Sequence, residues 1–227
     1  MNIAKEKLAM MIDHSMVKAD ATEELVKKVC EEAKQYSFGA VCILPSYVPR
    51  AVELLKKSDV RLCVGIAFPF GAATTETKVF EAKEAIRKGA DDIDMVMNIG
   101  RFKSKDYDFI KKDIASVVKI VKEEKVKENI TLKVIIETGY LIDEEVINAS
   151  KLIEDAGADF VKTCTGFGPR GTTIKDVRLI RGTVSGKMGV KVAGGIRTFE
   201  DALKMIEAGA NRIGTSHSVE IIEGWHD

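Results

Sequence analysis

The segment AGADFVKT (156–163) contains the pattern on which the fold prediction rests, a glycine and an alanine followed by a short apolar run. A glycine in this place is typical of the end of a helix, because glycine adopts the left-handed conformation at little cost. The apolar run after it predicts a buried strand. The same order recurs in FGAVCIL (38–44), KGADDIDMV (88–96) and AGANRIGT (208–215), so the chain repeats one helix-to-strand unit.

Strand and helix patterns alternate along the whole chain. Eight apolar runs predict strands over MMIDH (10–14), AVCIL (40–44), RLCVGIA (61–67), DDIDMVM (91–97), TLKVIIE (131–137), DFVKT (159–163), GVKVA (189–193) and NRIGT (211–215). Charged stretches with apolar residues three and four apart predict helices over 22–36, 75–88, 106–124, 143–156 and 198–208. Parallel strands joined by helices suit a doubly wound sheet or a closed barrel, and eight repeats favour the barrel. We therefore predict an α/β protein with a (β/α)8 TIM-barrel fold and a single domain over residues 1–227.

The composition limits the classes of partner. Lysine plus arginine and aspartate plus glutamate both number 35, so no overall charge favours nucleic acid or an anionic membrane. The N-terminal residues lack a signal-peptide pattern, and no run of about 18 apolar residues could span a membrane. The four cysteines are widely spaced and form no CxxC pair, which favours a reducing compartment with neither disulfides nor a structural metal. We predict a soluble, cytoplasmic protein.

The repeat also predicts which residues share a height in the barrel. Counting five residues on from each glycine gives one position on each of strands 2, 4, 6 and 8, namely Leu44, Asp94, Lys162 and Gly214. Equivalent positions on alternate strands point into one interior layer, and the layer nearest the carboxyl ends of the strands carries the catalytic groups. Asp94 and Lys162 are therefore expected to face one cavity.

Lys162 lies in an otherwise apolar strand, although burying an ammonium group is costly. The simple explanation is a strand-end lysine that extends to water. Lys191 on the neighbouring strand favours a different explanation. When two ammonium groups share one cavity, their repulsion lowers the pKa of one of them. A shift from about 10.4 to near 7 needs roughly 4 to 5 kcal/mol. The neutral amine can then form a Schiff base with a carbonyl. Asp94 would offset charge and transfer protons, or serve only as an ion-pair partner.

Glycine-rich loops follow strands 7 and 8, in AGGIRT (193–198) and GTSHS (214–218). Their backbone N–H groups can approach an anion, and a short helix beginning near Ser216 would direct its positive end to the same point. Loops after strands 7 and 8 commonly bind phosphate in such barrels. A third stretch, TCTGFG (163–168), adds Thr165 and Gly166 beside the pocket, so a phosphorylated substrate is predicted.

Other chemistries have less support in the sequence. The three histidines form no helical HxxxH pair, which argues against a catalytic metal. No GxGxxG follows the first strand and no GxxxxGK[ST] is present, which argues against dinucleotide and nucleoside triphosphate cofactors. Cys42 and Cys164 are more consistent with small core residues than with nucleophiles. We therefore expect no metal and no cofactor.

Several motifs in order resemble the deoxyribose-phosphate aldolase family of metal-free class I aldolases. They are FPFGAATTETKVFEA (68–82), GADDIDMVMNIG (89–100), LKVIIETGYL (132–141), DFVKTCTGF (159–167) and VKVAGGIRTFEDAL (190–203). The resemblance runs from about Ile12 to Ser218. It implies reversible cleavage of 2-deoxy-D-ribose 5-phosphate to D-glyceraldehyde 3-phosphate and acetaldehyde, a role in deoxyribonucleotide catabolism, and assembly into a dimer or tetramer.

The resemblance also implies roles for individual residues. Lys162 would form the Schiff base, Lys191 would be the neighbouring cation that shifts its pKa and takes part in proton transfer, and Asp94 would be the acid/base. The candidate substrate- and phosphate-binding residues are Cys42, Thr165, Gly166, Gly194, Gly195, Gly214, Ser216 and His217.

Two alternatives remain open at this point. A different Schiff-base aldolase, of transaldolase or fructose-bisphosphate type, would also use Lys162 but take another donor. The second alternative is a non-catalytic barrel that binds sugar phosphates. Two departures from the family pattern prompt it: His217 stands where the family usually has a second serine, and Leu44 where it often has a polar residue.

Overall fold

The computed structural model describes residues 3–124 and 129–226 and arranges their strands in a closed parallel barrel. The strands are β1 (Ile12–Met16), β2 (Ala40–Ile43), β3 (Arg61–Ile66), β4 (Asp92–Val96), β5 (Thr131–Ile135), β6 (Phe160–Lys162), β7 (Gly189–Ala193) and β8 (Arg212–Thr215). Each strand pairs with the next along the chain, and β8 pairs with β1 to close the barrel. The predicted (β/α)8 fold is confirmed.

Helices surround the barrel in the described part of the chain. They are α1 (Lys5–Met10), α2 (Glu23–Tyr36), α3 (Val48–Leu54), α4 (Thr75–Lys88), α5 (Ile99–Lys103), α6 (Tyr107–Glu123), α7 (Asp143–Asp155), α8 (Ile174–Thr183), α9 (Phe199–Glu207) and α10 (Ser218–Glu223). Each predicted helix is present within one residue of its expected ends. Within the residues described, no helix has both the length and the apolar character that a membrane span requires.

The sequence patterns missed several shorter helices, of which α8 is the longest. Its start nevertheless carries a recognisable signal. Thr173 Oγ1 accepts a hydrogen bond from Asp176 N at 3.1 Å, and Asp176 Oδ2 accepts one from Thr173 N at 2.9 Å. This reciprocal capping box corresponds to the TIKD segment of the sequence. The helix predicted near Ser216 begins two residues later, at Ser218.

Alternation along each strand divides its side chains between the helices and the barrel interior. Buried aliphatic residues such as Val64, Ile93 and Val190 belong to the main apolar cluster that the helices also enter. Charged side chains instead occupy much of the interior, which in most barrels of this type is filled by branched apolar residues. The chain therefore buries most of its apolar core between the barrel and the helices, and a cluster of charges inside the barrel.

The lower part of the interior, towards the amino ends of the strands, is held by ion pairs. Arg212 Nη1 lies 2.9 Å from Asp13 Oδ1, and Lys133 Nζ lies 2.7 Å from Asp92 Oδ2. Arg61 Nη2 lies 2.6 Å from the other oxygen of Asp92. Each buried carboxylate thus has a cationic partner, which is the condition for tolerating charge at this depth.

The expectation that Leu44 shares a layer with Asp94 and Lys162 is wrong. Leu44 lies one residue beyond the end of β2, and the β2 side chain that reaches Asp94 is Cys42, whose Sγ lies 3.8 Å from Asp94 Oδ2. The strands β4, β6 and β8 begin three residues after their glycines, whereas β2 begins with the residue directly after Gly39. The missing two-residue turn moves the equivalent position back from 44 to 42.

An ion pair outside the barrel joins two of the helices to the strand that carries Asp94. Lys78 of α4 is fully buried, and its Nζ donates to Asp113 Oδ2 of α6 at 2.6 Å and to the carbonyl oxygen of Val96 at 3.1 Å. Burial lowers the pKa of Lys78, and the Asp113 carboxylate opposes that effect. Since Val96 ends β4, this pair fixes the helices against the end of that strand.

We expect Lys78→Met to lower the free energy of unfolding by about 3 to 5 kcal/mol, because it leaves Asp113 buried without its cation. Lys88→Met is the matched control on the same helix, since Lys88 pairs with Glu84 in solvent at 2.7 Å and its loss should cost about 0.5 kcal/mol or less. Urea unfolding of both variants measures the difference. Equal destabilisation of the two would contradict the assigned role of the buried pair.

The barrel interior also predicts a specific loss of stability in acid. Burial alone would raise the pKa of Asp13, but the ammonium groups of Lys191 and Lys133 and the guanidinium of Arg212 lower it from 3.8 to about 2. A carboxyl group whose pKa is lower in the folded state stabilises that state above its unfolded pKa and loses the contribution as the pH falls through its folded pKa. The contribution of Asp13 is about 2 kcal/mol.

We therefore expect the free energy of unfolding to fall between about pH 4 and pH 2, with Asp13 supplying part of the slope. In Asp13→Asn that part should disappear, although the variant is less stable at neutral pH. The exposed Asp20 provides the control substitution, Asp20→Asn, which should keep the wild-type slope. Denaturant unfolding of the wild type and both variants across this pH range measures the pH dependence of the free energy of unfolding. An Asp13→Asn variant with the same pH dependence as the wild type would refute the prediction.

Candidate active site

A cavity of about 510 Å³ opens at the carboxyl ends of the strands. Lys162 contributes to its lining, and so does every residue predicted to bind substrate or phosphate: Cys42, Thr165, Gly166, Gly194, Gly195, Gly214, Ser216 and His217. Asp94 and Lys191 are fully buried beside Lys162, and Asp94 Oδ2 accepts a hydrogen bond from each of the two lysines. The structure thus brings all the predicted site residues together at one end of the barrel.

Lys162 ends β6 and is 5% exposed. Its Nζ donates a hydrogen bond to Asp94 Oδ2 at 2.6 Å, across the barrel from strand to strand. In the β6–β7 ladder Lys162 is the partner of Lys191, so the two lysines emerge side by side. The amine therefore lies between the cavity above it and a charged cluster below it.

Asp94 is the anion that holds this cluster together. Its Oδ2 accepts hydrogen bonds from Lys162 Nζ and from Lys191 Nζ, the second at 2.7 Å. Burial would raise the pKa of this carboxyl, but the ammonium groups of Lys162, Lys191 and Lys133 outweigh burial and hold the pKa well below its usual range. Asp94 is therefore an anion at neutral pH, stabilised by the lysines around it.

Lys191 has two carboxylate partners, one more than the sequence analysis identified. Its Nζ donates to Asp13 Oδ2 at 2.5 Å as well as to Asp94. Burial would lower the pKa of Lys191, but the carboxylates of Asp13 and Asp94 raise it well above the ordinary value. Lys191 thus remains a cation beside Lys162, and Asp13 is the second carboxylate that makes this arrangement tolerable.

Sequence reasoning missed Asp13 and Lys133, although a signal for Lys133 was available. Lys133 is a lysine inside the apolar strand TLKVIIE, the same feature that identified Lys162. Its Nζ lies 3.7 Å from Asp94 Oδ1 and 2.7 Å from Asp92 Oδ2. It therefore joins the lower ion pairs of the barrel to the upper cluster.

Cys42 and Cys63 face each other in the β2–β3 ladder and complete the interior on the side of Asp94. A hydrogen bond from Cys63 lowers the pKa of the Cys42 thiol, against the effect of burial. The two sulfurs and an Asp94 oxygen lie within 4.8 Å of one another, a spacing that a metal ion could use. However, the ammonium groups of Lys133 and Lys191 each lie 3.9 Å from Cys63 Sγ and would repel a cation. The charge around these sulfurs therefore argues against a metal site here.

The rim of the cavity is built from glycines with positive φ. Gly166, Gly194 and Gly195 have φ values of +92°, +89° and +88°. A Cβ atom at Gly166 or Gly195 would meet no atom of the described chain within 4 Å, so both backbones border open space. Lys18 and Arg197, which the sequence did not single out, also line the cavity and add positive charge to it. Backbone amides and cations together suit a phosphate group.

The remaining predicted contacts are partly engaged within the protein. His217 Nδ1 lies 3.2 Å from Glu220 Oε1, and the His217 backbone N–H donates to Thr215 Oγ1 at 3.0 Å. Thr165 was predicted as a substrate contact, but its hydroxyl donates to Glu137 and accepts from Phe167 N at 3.0 Å. The Thr165 hydroxyl is therefore engaged in shaping the loop after β6, although both Thr165 and Gly166 line the cavity.

The sequence is similar throughout its length to known aldolases. The model of the DeoC/LacD family aldolases matches residues 7–220. A deoxyribose-phosphate aldolase of Caldanaerobacter subterraneus subsp. tengcongensis is 56% identical over 225 residues, which cover 99% of this chain and 94% of that protein. One from Thermococcus gammatolerans is 56% identical over 219 residues, which cover 96% of each chain.

Solved structures agree with the sequence comparison. The tetrameric deoxyribose phosphate aldolase from Aeropyrum pernix superimposes with a TM-score of 0.89 at 33% identity, covering 97% of this chain and 91% of that one. The structure of QR15, an aldolase, gives a TM-score of 0.89 at 40% identity, covering 95% of this chain and 94% of that one. The resemblance inferred from the motifs is confirmed, and the chain belongs to the DeoC/LacD family of aldolases.

Proposed function

We propose that this protein reversibly cleaves 2-deoxy-D-ribose 5-phosphate to D-glyceraldehyde 3-phosphate and acetaldehyde through a Schiff base on Lys162. The observation that carries the proposal is the position of Lys162 Nζ, which lines the cavity and lies 2.6 Å from the ionised Asp94. The glycine rim and the names of the relatives, deoxyribose-phosphate aldolases at 50 to 56% identity, support the phosphorylated substrate.

The reaction begins when Lys162 loses a proton to Asp94 and its amine attacks the C1 aldehyde of the open-chain sugar. The protonated Asp94 gives its proton to the hydroxyl that leaves as water, which restores the carboxylate and produces an iminium. The iminium draws electrons from the bond between C2 and C3. Removal of the C3 hydroxyl proton then breaks that bond and releases glyceraldehyde 3-phosphate. The enamine left on Lys162 takes a proton at C2, and hydrolysis releases acetaldehyde and restores the lysine.

Asp94 and Lys191 divide the proton transfers in this proposal. Asp94, which contacts both lysines, serves as the acid/base, and Lys191 takes part in the transfers, with water carrying protons to the substrate. Asp13 keeps Lys191 charged and in place through its 2.5 Å contact. Positioned acids and bases of this kind typically contribute a factor of about 100 to 10,000 in rate.

The phosphate end of the substrate would occupy the rim formed by Gly166, Gly194, Gly195, Gly214 and Ser216, with His217 beside it. Binding energy gained there is remote from the bond that breaks, so it serves to orient C1 towards Lys162. Cys42 would contact the aldehyde end, since it lines the cavity and lies 3.8 Å from Asp94.

We also propose a homo-oligomer in the cytoplasm. The tetrameric structure named for the A. pernix relative supports assembly, and light scattering of the purified protein tests it directly.

Borohydride reduction in the presence of acetaldehyde should trap an N-ethyl group on Lys162 in the wild type, because reduction fixes the Schiff base as a stable amine. Lys162→Arg should give no adduct while keeping the positive charge beside Asp94. Lys175→Ala, which removes an exposed lysine paired with Asp143, serves as the matched control and should be labelled like the wild type. Peptide mass spectrometry locates the modification. An adduct that persists in Lys162→Arg would refute the assignment.

The carbonyl compound that forms the Schiff base with Lys162 distinguishes the proposed activity from those of other Schiff-base aldolases. Release of acetaldehyde from deoxyribose 5-phosphate, followed with a coupled dehydrogenase, is the expected activity. Trapping of dihydroxyacetone phosphate in place of acetaldehyde would favour a fructose-bisphosphate type of aldolase. Absence of turnover and of any adduct would favour a binding protein.

A further inference from the structure

Glu137 is a buried carboxylate outside the lysine cluster, and the mechanism above does not use it. It lies two residues beyond the end of β5 and is 1% exposed. Its backbone adopts the left-handed conformation, with φ 52° and ψ 69°. A residue with a Cβ atom adopts this conformation at a cost of about 1 kcal/mol or more, and burial of a carboxylate adds to that cost. Both features call for a compensating role.

The contacts of Glu137 lead to the loop that follows Lys162. Its Oε2 accepts hydrogen bonds from the backbone N–H of Thr165, at 3.0 Å, and from the Thr165 hydroxyl. The same hydroxyl accepts a hydrogen bond from Phe167 N at 3.0 Å. Gly166 therefore lies between two residues that are both fixed, directly or through one hydroxyl, by a single carboxylate.

The loop also folds directly over the carboxylate. A Cβ atom at Gly168 would lie 2.7 Å from Glu137 Cδ, closer than any side chain could approach. On the other side, the backbone N–H of Thr138 donates to the carbonyl oxygen of Thr163 at 2.9 Å. The segment is thus hydrogen-bonded to the residues after β5 at Thr163 and Thr165, and its last residue, Gly168, packs against the Glu137 carboxyl group.

A carboxylate has one physical advantage over a neutral side chain in this position. Hydrogen bonds to an ionised acceptor are roughly twice as strong as those between neutral groups. No group of the described residues donates a hydrogen bond to the other oxygen, Oε1, although that oxygen is buried. The two hydrogen bonds from Thr165 are therefore the contacts that offset the burial of this side chain.

We infer that Glu137 is a positioning residue that sets the phosphate-binding edge of the cavity by holding Gly166 between Thr165 and Phe167. Glu137 does not touch the substrate in this assignment. The inference rests on the proposed function, since it requires a substrate that carries a phosphate. Its consequence is selective, because loss of Glu137 loosens the rim that meets the phosphate while Lys162, Asp94 and Lys191 keep their contacts.

The test compares Glu137→Ala and Glu137→Gln on deoxyribose 5-phosphate and on unphosphorylated deoxyribose. We expect Glu137→Ala to raise KM for the phosphorylated sugar about tenfold, which corresponds to about 1.4 kcal/mol, with kcat and the turnover of the unphosphorylated sugar almost unchanged. Glu137→Gln keeps a neutral acceptor for Thr165 and should recover about half of that change in free energy. The exposed Glu144, changed to Gln, is the control and should match the wild type.

A double-mutant cycle keeps the test decisive if Glu137→Ala folds poorly. Thr165→Val removes the hydroxyl that joins Glu137 to Phe167 and should raise KM for the phosphorylated sugar in the same selective way. Adding Glu137→Gln to it should have less effect than in the wild type, because the two residues act through one contact.

The outcomes separate this inference from the proposed function. Equal losses on the two sugars, or an unchanged KM in Glu137→Ala, would overturn the positioning role. Failure of the wild type to trap acetaldehyde on Lys162, or to cleave deoxyribose 5-phosphate, would instead overturn the proposed function.

Discussion

One carboxylate inside the barrel determines how the rest of the active site is built. Asp94 accepts hydrogen bonds from both Lys162 and Lys191, and removing this carboxylate would leave their positive charge buried with less compensation. The same requirement explains Asp13, which neutralises Lys191 from below. The catalytic cluster therefore could not be supplied by one strand. It needs side chains from β1, β4, β6 and β7 at matched heights, and only the stagger of a closed barrel provides them.

Local sequence patterns predicted part of this cluster. Lys162 could be identified because a lysine is unusual in a buried strand, and the recurring glycine placed Asp94 at the same height. Leu44 was misplaced because β2 follows its glycine without the two-residue turn that precedes β4, β6 and β8. Where a strand begins depends on how it pairs with its neighbours, and counting residues along the chain gives no information about that pairing.

The residues that sequence reasoning missed act through contacts between distant segments. Asp13 is 178 residues from Lys191 in sequence, yet their side chains meet at 2.5 Å. Glu137 follows β5 in an ordinary-looking IIETG segment, and only its left-handed backbone and its bonds to Thr165 distinguish it. The glycines of the rim were predicted as a group, because glycine-rich loops after the last two strands have a recognisable physical purpose. Single polar residues such as Asp13 and Glu137 belong to no such pattern, so the sequence did not distinguish them from other polar residues as candidates for the site.

The interior charges are divided unevenly between the two halves of the chain. The first four strands contribute Asp13, Asp92 and Asp94, with Arg61 as their one cation, whereas the last four contribute Lys133, Lys162, Lys191 and Arg212. Each half-barrel alone would therefore bury an excess charge of one sign. The two halves are electrostatic complements, and the ring closes where their opposite charges meet. Half-barrels of this protein exchanged with those of a barrel with an apolar interior would lose that complementarity, whatever the similarity of their backbones.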